Sequence, residues 1–186
     1  MAGHVCGHLL DDKMNHSLIC NRGGGPVARH DAVARTLATL ITSKTGIPTR
    51  LEQWIPTMQR TLANGRREQA RFDVVLTWDG QPAHIDVAIV TPYSTKPEDL
   101  VAAANKPGHM AKKEERNTFC RYQGHKLILF VLETTGRPGE QAKKFIHNLF
   151  RYTPNAAQQV KDTWACIQAT LHTHISLTQL KTVKSC

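Results

Sequence analysis

A chain of 186 residues with a 40% apolar share is long enough for one domain with a sizeable core. It holds no apolar run near the length of a membrane span, and its five cysteines, odd in number and scattered, do not make a disulfide scaffold. The net charge of +9 favours a polyanionic partner, no secretory leader is expected, and a reducing compartment suits the thiols.

The first twenty residues carry two close pairs of zinc-ligand types, His4-x-Cys6 and His16-x3-Cys20, with His8 as a spare. Zinc takes four such ligands tetrahedrally, and a small segment can fold around it. Residues 1–25 are therefore read as zinc-knuckle-like, although a knuckle would start with cysteine where His4 stands. The plainer alternative is a tail with chance histidines. The glycine-rich stretch 21–25 lacks the lysine and Ser/Thr of a phosphate loop, so it reads as a hinge. Pro26 opens a helix to Lys44, with Val33, Leu37, Leu40 and Ile41 on one face and Gly46 as its stop. Arg29 and His30, next to Asp31, are candidates for phosphate contact in its first turns, against the ordinary reading of a solvated face.

Thr49 to Trp54 reads as a short strand carrying Glu52. The stretch from Arg60 to Arg71 is a loop or ragged strand whose Arg60, Arg66, Arg67 and Arg71 suit a nucleic-acid backbone. Arg71 to Pro92 reads as two apolar strands joined at Asp79-Gly80, with Gln81 and Pro82 expected to lengthen the loop. Each strand holds one acid, Asp73 or Asp86. A carboxylate inside an apolar run is costly unless something cationic holds it, and two on neighbouring strands facing the same way suit a divalent metal.

After a loop, residues 98 to 122 read as helical with a break at Pro107-Gly108, and the second part carries Lys112, Lys113, Glu114, Glu115 and Arg116. Lys126 to Leu132 is a buried strand ending beside Glu133, and a Gly/Pro turn leads to a helix over 140–152 with Ala142, Phe145, Ile146 and Phe150 inward. Pro154 starts the last helix, whose Val160, Trp164, Ile167 and Leu171 stripe is core spacing rather than a binding surface. The expected division is residues 1–25, a core over 26–153 and a C-terminal helical extension over 154–186.

The order helix, strand, hairpin, helix, strand, helix, with acids at Glu52, Asp73 and Asp86, resembles the PD-(D/E)XK nuclease core, an α/β fold with a mixed central sheet flanked by helices. The run HVCG…HSLIC…RHD…E…FDVVLTW…IDVAIVTP…FVLETTGRPG resembles, over residues 4 to 150, the restriction-like endonuclease domain of site-specific non-LTR retrotransposons. That resemblance implies a Mg²⁺- or Mn²⁺-dependent endonuclease that nicks target DNA to prime reverse transcription. It implies a structural zinc, a nuclear location and a place at the end of a polyprotein with reverse transcriptase. Target DNA is the partner, with element RNA as a second candidate and no membrane. Asp73 and Asp86 would hold magnesium, with Glu52 completing the shell or orienting water.

The family lysine is absent from its place two residues after Asp86, where Ala88 stands. In some branches it moves to the helix, about one turn before a tyrosine. Tyr122 matches the tyrosine, but Asn117 and Thr118 stand where the lysine would be. Lys113 is the chosen substitute, ahead of Lys112, Arg116 and Lys106. Two rival readings follow: a binding-only copy of the same fold, and a structural domain whose buried acids pair with Arg71 or Arg121.

Overall fold

A computed structural model of the protein describes residues 15–20, 24–62, 64–93, 96–119 and 127–185. The order is α1 (Asn15–Ile19), α2 (Gly25–Thr45), β1 (Thr49–Thr61), β2 (Arg67–Trp78), β3 (Gln81–Val90), α3 (Pro97–Asn105), α4 (His109–Phe119), β4 (Leu127–Glu133), α5 (Glu140–Leu149) and α6 (Ala156–Ser185). The strands form one mixed sheet in the order β1-β2-β3-β4, antiparallel except for the parallel β3–β4 pair. Helices flank the sheet, so the chain is α/β.

The strand period of two sorts the side chains. Val74, Leu76, Ile85, Val87, Phe130 and Leu132 share one face and meet α2, α5 and α6 through residues such as Leu37, Ile41, Phe145 and Ile146. Ala88, Val90, Leu129 and Val131 take the other face, against Ala111 of α4. Because β3 and β4 are covered on both faces, they read as near-continuous apolar runs. Residues 154–186, set apart in the sequence as an extension, place Ile167 and Leu171 of α6 in the main core. Among the described residues, no helix is long and apolar enough to cross a membrane.

Two local expectations are corrected. The loop between β2 and β3 has only two residues, since Trp78 pairs with Gln81 and Thr77 with Pro82. Asp79 and Gly80 both take positive φ, 51° and 70°, the twist that a two-residue hairpin turn needs. Gln81 and Pro82 thus belong to the strand. The second correction concerns the basic stretch, which is the tip and return of a long β1–β2 hairpin. Its ladder slips between Ile55 and Gln59, around Pro56. A proline without an amide hydrogen is tolerated there because β1 is an edge strand.

Two buried glutamates tie this layer together, Glu133 fastening α4 to β4 and Glu115 fastening α5 to α4. Glu133 accepts the Met110 N–H at 3.1 Å and the Thr135 hydroxyl at 3.3 Å. Glu115 accepts the Gln141 N–H at 2.8 Å, and burial pushes its carboxyl above the usual range. Each meets the orphan amides at the start of a helix. Gly139 has no room for a side chain, because a Cβ there would strike the Glu115 carboxylate.

Candidate functional site

β2 and β3 pair from Trp78↔Gln81 to Val74↔Ile85 and no further. Beyond that point Arg67–Phe72 stays with β1, while Asp86–Val90 stays with β4. The sheet forks, and Asp73 and Asp86 stand opposite each other where it does. Asp86 shares the strand parity of Ala88 and Val90 on the α4 face, and Asp73, opposite it at the fork, is also within reach of His30 on α2.

Asp73 is buried and Asp86 half-buried. The Val87 N–H donates to Asp73 Oδ2 at 2.6 Å, so a side-chain oxygen replaces the next backbone partner and ties the two strands at the fork. The same oxygen lies 3.2 Å from His30 Nε2. His30 Nδ1 is in turn 3.0 Å from Asp31 Oδ1. The hydrogen bond to Asp73 is the main cause that raises the His30 pKa to about 9, against the opposing effect of burial and with help from the Asp73 and Asp31 charges. An imidazolium bridges two carboxylates, and the cation that holds Asp73 is this one. Arg71 instead lies 3.8 Å from Glu52, and Arg121 lies outside the described residues.

A cleft of about 380 Å³ opens at the fork. Asp73 and Asp86 line it, with Trp54 and Arg71 on the β1–β2 side, His30 at one end, and Glu114 and Thr118 on the α4 wall. The Thr118 hydroxyl donates to Glu114 Oε1 at 3.0 Å. Ala88, at the first lysine position of the family pattern, also lines the cleft. Glu52 is exposed, with φ of 51°, and faces an adjoining hollow shared with His30, Asp31 and Asp73. It is near Asp73 but is not a wall of the cleft that Asp86 lines.

The remaining sequence candidates separate. Lys113 does not line the cleft, because its Nζ lies 2.5 Å from Asp99 Oδ2, with His109 Nε2 at 3.7 Å from the other oxygen. The reason is helical phase: the cleft side of α4 is set by Glu114 and Thr118, and Lys113 is about 140° around the helix from Thr118. Asn117, one turn after Lys113 on the same helix face, is exposed. Arg29 is corrected too. It is 2% exposed, with Nη2 donating to the Leu18 carbonyl and Nη1 to Thr178 Oγ1 at 3.4 Å, and burial lowers its pKa. It ties α1 to α6 and is not offered to a phosphate.

Arg66, Arg67 and Arg71 are exposed along the hairpin, Arg60 lies on β1, and Lys112 is exposed on α4. His16 and Cys20 lie one turn apart at α1, where the Cys20 N–H donates to the His16 carbonyl at 2.9 Å. His4, Cys6, His8 and Tyr122 lie outside the described residues.

Among the described residues, no three His, Cys, Asp or Glu side chains converge as a ready ligand set. A pair of carboxylates fits magnesium best, since that ion keeps several waters and is bound through one or two acids. Val87 and His30 both engage Asp73 Oδ2, so a cation in the cleft would meet the other oxygen. The chain matches no protein-family model, and no curated protein matches it significantly.

Sequence reasoning missed His30 as the partner of Asp73, and Trp54 and Glu114 as walls of the cleft, whereas Thr118, singled out at the lysine position, does line it. The His30-Asp31 doublet was the only local signal. What joins it to Asp73 is the packing of α2 on the sheet.

Proposed function

We propose that this chain is a divalent-metal-dependent DNA endonuclease of the PD-(D/E)XK type, matching the restriction-like domain of non-LTR retrotransposons with its N-terminal zinc knuckle. The observation that carries the reading is the fork, which turns Asp73 and Asp86 of adjacent strands into one cleft. Exposed Arg66, Arg67 and Arg71 on the adjoining hairpin support a polyanionic substrate. His16 and Cys20 on one helical turn are compatible with half of a zinc site, with His4 and Cys6 as the other half. On this reading the domain acts in the nucleus on target DNA, joined to a reverse transcriptase.

Asp73 and Asp86 would hold Mg²⁺ or Mn²⁺, which would supply charge neutralisation at the phosphate and an activated water. The chain's own groups do the rest. Val87 N–H and His30 fix the Asp73 carboxylate, and the His30 cation offsets negative charge where phosphate meets two acids. Arg71, an exposed lining residue of the cleft, offers a positive charge to the DNA backbone.

A binding-only copy of this fold is the second reading. It is favoured by Ala88 and Thr118 at the two places where the family carries lysine, and by the engagement of Lys113 with Asp99. Nicking of supercoiled DNA, with and without Mg²⁺ or Mn²⁺, tests the proposal. We expect metal-dependent nicking that Asp86→Asn reduces to background, and an increase with Thr118→Lys, whose side chain enters the cleft. Absence of nicking in both the unmodified chain and Thr118→Lys selects the binding-only reading.

A further inference from the structure

Trp54 stands in a place where an indole is expensive to leave in water. It is 54% exposed on the edge strand, yet it lines the cleft that holds Asp73 and Asp86. Its cross-strand partner is Arg71, whose guanidinium carbon lies 5.8 Å from the ring centroid, within cation–π range. Glu52 lies 3.8 Å from Arg71 and steadies it from the strand of Trp54. The core has not recruited this ring: the buried cluster of that part of the sheet is built on Ala70 and Phe72, with Ile55, Val75 and Leu127 around them. A single exposed apolar residue is ordinary on a protein surface. An exposed tryptophan braced by an arginine, on the wall of a charged cleft of ligand size, is a different arrangement.

The geometry points to a nucleobase-stacking subsite: Trp54, held by Arg71, takes the face of an unpaired base next to the phosphate bound at the two acids. The inference rests on the nucleic-acid reading above and adds a substrate class to it. In a continuous duplex both faces of a base are covered by its neighbours, so a protein ring has no face to meet. A base in single-stranded or locally opened DNA has a free face, and aromatic stacking on it tolerates any sequence. Arg71 adds the charge that a backbone phosphate requires at the same rim. The chain should therefore prefer DNA with unpaired nucleotides at the cleft over a plain duplex. The selectivity comes from strand opening rather than from base identity.

The test is a binding titration of the full chain, in calcium in place of magnesium, with two DNAs of one sequence. One is fully paired, and the other carries a short bulge containing 2-aminopurine. The expected result for the unmodified chain is tighter binding of the bulged DNA, with quenching of the 2-aminopurine. Trp54→Ala should weaken that binding by about 5- to 100-fold and duplex affinity by a clearly smaller factor, since Arg71 loses its brace on both DNAs. Trp54→Phe should restore most of the loss, and an unchanged melting temperature of each variant excludes misfolding. Equal loss on both DNAs, or loss on neither, overturns the stacking subsite and leaves the endonuclease proposal standing. If the unmodified chain binds neither DNA, the nucleic-acid reading falls and the subsite falls with it.

Discussion

The α4–β4–α5 layer and the fork both bury carboxylates, for different ends. Glu133 and Glu115 are enclosed by the amides of helix starts, and Gly139 is pressed against Glu115. Asp73 is equally buried but is gripped at one oxygen, by Val87 and His30, beside an open cleft. Burial of an acid is thus no guide to its role. What separates the two regions is whether the partners enclose the carboxylate or leave it facing a space another ion can enter.

Replacing the two kinds of acid should give opposite signatures, and this is the largest effect expected. Asp73→Asn keeps an oxygen for the Val87 N–H, so nicking should fall to background, and above about pH 9, where the His30 charge is gone, the stability cost should be under about 1 kcal/mol. Glu133→Ala leaves the Met110 amide without its acceptor in a buried place and should cost about 2–4 kcal/mol in denaturant unfolding. If Asp73→Asn proved the more destabilising of the two, the fork acid would be structural and the contrast would collapse.

The pH dependence of His30 sharpens the same contrast. Its folded pKa is raised from 6.5 to about 9, so its contribution is complete below pH 6.5 and is lost as pH rises through about 9. In metal-free buffer the difference in unfolding free energy between the unmodified chain and His30→Gln should shrink across that window, by on the order of 3 kcal/mol at most. A difference that stays flat with pH would mean that the Asp31–His30–Asp73 bridge does not form in solution.

The smallest effect separates the arginines. Arg66→Ala and Arg67→Ala should each lower the salt slope of DNA binding by about 1 with little change in stability. Arg29→Ala should do the reverse, destabilising the fold and leaving the slope alone, because its guanidinium is spent on Leu18 and Thr178. A changed slope in Arg29→Ala would contradict that assignment.

The parts of this molecule written in local pattern were legible in its sequence. Asp79-Gly80 and the alternation on either side put Asp73 and Asp86 on adjacent strands, and Pro107-Gly108 marked the break between α3 and α4. The extension of β1 to Thr61 was not legible, since the polar run Gln59-Arg60-Thr61 has no apolar residue to leave an alternating signature. The roles of Arg29 and Lys113 were hidden for another reason. Thr178 and Asp99 are distant partners, brought near by helix packing, and the basic residues alone look like candidates for phosphate or catalysis.

The fork also bears on how a nascent or truncated chain behaves. β2 and β3 meet through a two-residue turn, whereas β4 reaches β3 only after the intervening chain with α3 and α4 has been made. Until then β3 is an edge, and its Ile85, Val87, Ile89 and Val90 lack their parallel cover. Bare apolar edges of this kind pair readily with other copies. A fragment ending before Leu127 is therefore expected to aggregate through β3, with both acids already side by side and no β4 to cover that edge.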